Sequence, residues 1–246
     1  MHSKRYAVLD GIRGFTLINM ILYHAIWDLI HLFGFPFRWY DADAAYIWQQ
    51  FICWTFILLS GFCQPLGKKK LKRGLIILLL GFLISAVTAI AMPENRVRFG
   101  ILTLLGSCML WMIPLERLLK QCNPLVGIIA SATLFITTRN IYYGSLGFGE
   151  WNLLALPACW YHNAVTAYFG FPPPDFYSPD YFPLFPWSFL FTTGYFLHQF
   201  LSRKGVLRYL INGRAPVMEW LGRHSLGLYV VHQPLLYLLF TLLFSG

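Results

Sequence analysis

Five ionisable residues lie on one stripe of the first apolar run: Asp10, Arg13, His24, Asp28 and His31. Arg13 and His24 are eleven positions apart, so on a helix they return to within about 20° of each other, separated by about 16 Å along the axis. Asp10 stands one turn before Arg13, Asp28 one turn after His24, and His31 about a turn further on; Leu, Ile, Phe and Val dominate the other faces. Near one end of the stripe an imidazole has a carboxylate within a turn, an arrangement that sets a tautomer and raises basicity for general-base or nucleophilic work. The other end presents an arginine which, with the basic run from Lys68 to Arg73, suits the phosphates of a cytosolic ligand. The structural alternative is an Asp10–Arg13 ion pair at a helix end, with His24 and Asp28 hydrogen-bonding to neighbouring helices.

The element that positions these groups is a membrane helix. Of the 246 residues, 57% are hydrophobic and 12% charged, about half the charged share of a soluble domain. The bilayer is therefore the expected solvent, and ionisable groups within it must face protein or water. Seven runs have the length and apolarity of spans: 7–32, 46–64, 71–92, 99–119, 124–138, 183–201 and 217–244. With the N-terminus in the cytoplasm, fifteen of the nineteen Lys and Arg lie inside, among them Lys4, Arg5, the Lys68–Arg73 run and Arg214, against Arg38, Arg96, Arg98 and Arg139 outside. That location turns the net charge of +9 toward anionic lipid and away from nucleic acid.

An eighth span over 153–171 would reverse this bias, so the segment, rich in Trp and Tyr, is expected to be external, interfacial or re-entrant. The N-terminal run has no small-residue cleavage site and reads as a retained span. The five cysteines form no CxxC and no metal-ligand spacing, and no metal is expected. No internal repeat or linker divides the chain, so the fold expected is all-α, a polytopic bundle of about seven transmembrane helices forming one domain over 1–246.

Leu9-Asp10-Gly11-Ile12-Arg13-Gly14, followed by Tyr23-His24, resembles the start of the acyltransferase-3 type of membrane-bound acyltransferases, as do Ser60-Gly61-Phe62 and Pro65-Leu66-Gly67 with the basic run to Arg73. Within that superfamily the chain is most similar to small bacterial relatives of the heparan-alpha-glucosaminide N-acetyltransferase catalytic domain. Four segments carry that likeness: His24-x3-Asp28, Phe99-Gly100-Ile101-Leu102, Asp180 through Trp187, and Leu221-Gly222-Arg223-His224-Ser225-Leu226 with Tyr229 and His232. Where the family pattern as a rule has a histidine after Phe-Gly-Ile-Leu, this chain has Thr103, which weakens any role carried over to the fourth span.

The resemblance implies transfer of an acyl group, in the first place acetyl, from cytosolic acetyl-CoA to a hydroxyl or amine of an extracytoplasmic or lipid-linked glycan, by a multi-pass protein of the bacterial cell membrane. A homodimer is compatible with it. His24 with Asp28 would be catalytic, with His31 as second candidate because relatives differ in where the essential histidine lies. Arg13, Lys70, Arg73 and Arg223 would hold the donor, and Asp180 and Tyr181 would shape the acceptor pocket. Each has another reading: the basic run as an anchor for lipid headgroups, Arg223 as a topology anchor, Asp180 as the cap of the helix that follows it. His232 reads as an interhelical hydrogen-bonding group, since no acid lies within a turn of it. From another class, a proton-coupled permease would use the same stripe as a relay.

Overall fold

The computed structural model describes residues 6–37, 39–40, 43–213 and 215–244. Lys4, Arg5, Arg38 and Arg214, which enter the charge bias, lie outside the described residues. The chain forms two compact units, one of Met1–Leu59 with Ser202–Gly246 and the other of Ser60–Leu201.

The first unit joins the two ends of the chain. It holds α1 (Ala7–His31), most of α2 (Asp43–Cys63), α8 (Pro216–Arg223) and α9 (Ser225–Phe244). Helices α1 and α8 cross backbone on backbone: a Cβ on Gly14 would lie 1.9 Å from the Met218 carbonyl oxygen, and one on Gly222 would lie 1.8 Å from that of Asp10. Such contact is how helices associate where hydrocarbon supplies no hydrophobic drive between them. Beside the crossing, Leu17, Met20 and Ile52 form a core with Tyr23, Trp48, Leu228 and Tyr229. The run expected as one span over 217–244 is broken at His224 into α8 and α9. Twenty residues suffice for about 30 Å of hydrocarbon, and α9 alone has that length, which leaves α8 to lie along α1.

The second unit contains α3 (Lys70–Ala91), α4 (Ile101–Leu119), α5 (Pro124–Thr137), α6 (Ala164–Phe169) and α7 (Leu184–Arg203). Three small residues bring α3 and α4 together: Gly74 lies on Leu110, Gly81 on Thr103 and Gly106 on the backbone of Leu78. Ser131 and Thr193 share a hydrogen bond of 2.8 Å between α5 and α7. Asn123 caps α5 by accepting from the Leu125 N–H, with Pro124 at the first helical position.

Just before the expected external segment, and running into its first residues, the fold departs from all-α. Strands β1 (Ser145–Phe148) and β2 (Trp151–Ala155) pair antiparallel around a tight turn at Gly149 and Glu150. The Asn140 side chain donates to the carbonyls of Gly149 and Trp151 and to Asn152 Oδ1, tying the hairpin down. The six residues of α6 rise only about 9 Å, so they do not make an eighth span.

Among the described residues, four helical segments are long and apolar enough to cross a membrane: α2 with its continuation to Leu66, α3, α4 and α9. Helices α1 and α7, of 25 and 20 residues, have the length but a more polar make-up, α1 because of its stripe. Large apolar side chains lie exposed along α3, from Leu71 to Ile90, whereas Asp28 and Thr103 are buried. Exposed apolar helix faces over buried polar groups are what a hydrocarbon solvent selects.

Candidate active site

In the first unit the α1 stripe faces protein from Asp10 to Asp28, while His31 is exposed. Near its middle, His24 meets His232 of α9, with ring centroids 5.1 Å apart. One turn on, Asp28 is fully buried and its Oδ1 accepts a 2.6 Å hydrogen bond from Gln233 Nε2. The expected bond between His24 and Asp28 is not formed; the Asp28 carboxylate turns to α9 instead. Among the described residues, Asp28 Oδ2, Gln233 Oε1 and His232 Nε2 are buried without a hydrogen-bond partner. The Tyr229 carbonyl bonds His232 Nδ1. His31 lies apart from this cluster in its contacts, exposed and against the rings of Trp27 and Tyr40.

At the other end of the stripe Arg13 Nη1 pairs with Asp10 Oδ1 at 2.8 Å. This is the helix-end ion pair that the spacing allows, formed where Gly222 touches the Asp10 backbone. Arg223, the residue after that glycine, is exposed, and its Nε donates to the Glu219 carbonyl.

The remaining candidates belong to the second unit. Lys70 pairs with Glu116 of α4 at 2.5 Å, and Lys120 joins them at 3.3 Å; Arg73, one turn along α3, is exposed. Asp180 accepts a 3.2 Å hydrogen bond from the backbone N–H of Ile101. It therefore caps α4 and not the helix after it, and it covers Gly100, whose Cβ would come within 2.5 Å of Asp180 Oδ2. Burial pushes the Asp180 carboxyl up to about 6, with the Ile101 hydrogen bond opposing that rise. The preceding Phe99 has φ +53°, a conformation costly for a bulky residue. Its carbonyl accepts from the Phe182 N–H, and Ser178 bonds both the N–H and the carbonyl of Arg98. The Tyr181 hydroxyl donates to the Ala167 carbonyl, and burial raises its pKa above the usual phenol value. Thr103 is buried against Gly81, so it serves the α3–α4 contact.

Three of these groups escaped the sequence reading. Gln233 pairs with Asp28 across 205 positions, and no local signal links them. Glu116 was detectable as an acid inside an apolar run, which demands a cation. His198 of α7 is 8% exposed, lies against Phe62 and has both ring nitrogens unpartnered among the described residues; a histidine inside a span was its available signal.

The sequence model of the family described as Heparan-alpha-glucosaminide N-acetyltransferase, catalytic, matches residues 5–234. No curated protein and no solved structure matches the chain.

Proposed function

Because the chain belongs to the heparan-alpha-glucosaminide N-acetyltransferase catalytic family, we propose that it is a multi-pass membrane acetyltransferase. In this reading it moves an acetyl group from cytosolic acetyl-CoA to an amine or hydroxyl of an extracytoplasmic or lipid-linked glycan. The observation that carries the proposal is the buried polar cluster of the first unit, where two imidazoles face each other beside a carboxylate within membrane-length helices. Such groups are expensive in hydrocarbon and mark a site when they are retained.

His24 is the reacting imidazole of this proposal, as a base toward the acceptor or as a transient acyl carrier. Asp28, held by Gln233, places negative charge one helical turn from it, which favours the cationic ring that either route creates. Arg13 and Arg223, both in the first unit, are the cations offered to the donor's phosphates, and Arg13 would have to share its guanidinium with Asp10. The α-glucosaminide of the family description makes an amino sugar the first acceptor to try.

The test combines binding and turnover in purified protein. Millimolar acetyl-CoA should raise the melting temperature, since a ligand of the native state stabilises it by mass action. His24→Ala should keep that shift and lose transfer to glucosamine. Normal turnover in His24→Ala removes His24 from the chemistry, and no shift with the wild type favours a proton-coupled permease.

A further inference from the structure

The acceptor's proton has a more specific destination than the acetyltransferase reading gives it. A carbonyl oxygen can only accept, so the bond between His232 Nδ1 and the Tyr229 carbonyl places a hydrogen on Nδ1. In the neutral ring Nε2 is then a lone pair, and it is buried without a partner among the described residues. A backbone carbonyl on the far nitrogen fixes ring orientation and tautomer and raises basicity at the near one. His24, by contrast, receives no hydrogen bond from any described residue, and the Asp28 carboxylate is turned to Gln233. Of the two facing imidazoles, His232 is the one prepared as a base.

Two further unpartnered atoms at the α1–α9 contact point to what the site receives. Asp28 Oδ2 is acceptor-only when ionised, Gln233 Oε1 is a carbonyl oxygen, and His232 Nε2 is an acceptor in this tautomer. All three are buried and unpartnered. Buried acceptors without donors are costly, and a group that brings N–H or O–H donors relieves them.

We propose that His232 is the general base of the transfer, a role that rests on the acetyltransferase reading and refines it. As the acceptor nitrogen or oxygen bonds to the acyl carbon of the thioester, His232 Nε2 takes the proton that this atom loses. The carbon–sulfur bond breaks and the coenzyme leaves as thiolate. The imidazolium of His232 then returns its proton to the thiolate, leaving free CoA thiol and the acetylated acceptor. His24, 5.1 Å away between ring centroids, is in this refinement not the base but a positioning group beside the acceptor, so loss of transfer in His24→Ala is still expected.

The test uses the full-length protein in detergent, with glucosamine as acceptor and release of CoA thiol as readout. Two variants are compared with wild type, His232→Gln, which keeps hydrogen bonding but cannot take a proton, and His232→Ala. Both should lose glucosamine-dependent thiol release by at least about 100-fold, the usual contribution of a general base, and both should retain stabilisation by acetyl-CoA. Added imidazole should restore part of the activity of His232→Ala. A helix-packing role would leave His232→Gln active, so turnover of either variant within about threefold of wild type overturns the assignment while the acetyltransferase reading stands. A wild-type protein that neither binds acetyl-CoA nor releases thiol removes both.

Discussion

Asp180 shows how one carboxylate can be structural and still exposed to selection by chemistry. It holds the first N–H of α4 in place of Gly100, which has no side chain to do so, and burial raises its carboxyl from 3.8 to about 6. The folded chain thus binds a proton that the unfolded chain lacks between those values, so stability should rise as pH falls from 7 toward about 5. Asp180→Asn keeps an acceptor for Ile101 and should abolish that pH dependence in melting curves. Asp180→Ala loses the cap and should cost about 1 kcal/mol. If the carboxylate also shapes the acceptor site, Asp180→Asn will lower turnover at unchanged melting temperature; full turnover leaves it a cap only. The sequence offered Asp180 as a cap for the helix that follows it, because capping signals are read locally. The real partner is 79 positions away. The same limit applies to Asp28: helix periodicity alone put it on the stripe with His24, but the turn of its carboxylate toward Gln233 depends on a packing of α1 and α9 that no spacing encodes.

Between elements, the family-like motifs are largely a contact. Gly14 closes the Asp10-Gly11-Ile12-Arg13-Gly14 motif and Gly222 sits in Leu221-Gly222-Arg223, and these two glycines are where α1 and α8 touch. The contact sets α9 relative to α1 and so sets His232 against His24. Gly222→Leu should therefore lower the melting temperature sharply, by about 3 kcal/mol or more of stability, since the side chain would have to displace the Asp10 backbone. Gly227→Ala in α9, with open space around it, is the control and should be neutral or stabilising by about 0.5–1 kcal/mol. Equal melting of the Gly222 variant and wild type would show that the crossing is not tight. Long elements were legible because a run of apolar residues permits little else in hydrocarbon. The break at His224 was not, since 217–244 is long enough to read as one span even with Glu219, Arg223 and His224 near its start, and the contact of Gly222 with the α1 backbone that holds α8 there is tertiary. The β1–β2 hairpin hid because its strands of four and five residues are too short for periodicity to declare, although Gly147-Phe148-Gly149-Glu150 carried a turn signal.

At the scale of the whole chain, the proposal needs donor and acceptor on opposite sides of a bilayer, which makes topology the decisive property. In the proposed orientation the basic ends of α3, α4 and α7 face the cytoplasm, and the orientation of everything after residue 124 then depends on α5. That helix is the weak link: its fourteen residues rise about 21 Å against about 30 Å of hydrocarbon, so it crosses only if the bilayer thins or its flanking residues reach to the interface. Two exposed cysteines bracket it, Cys122 before α5 and Cys159 beyond the hairpin. In single-cysteine variants, a membrane-impermeant maleimide should label Cys159 in intact cells and Cys122 only after permeabilisation. The reverse pattern inverts the proposed orientation. Labelling of both from one side means that α5 does not cross, which puts the α7 end at Arg203 and the α8–α9 segment on the wrong faces for a cytosolic donor to meet His24 and His232 as proposed.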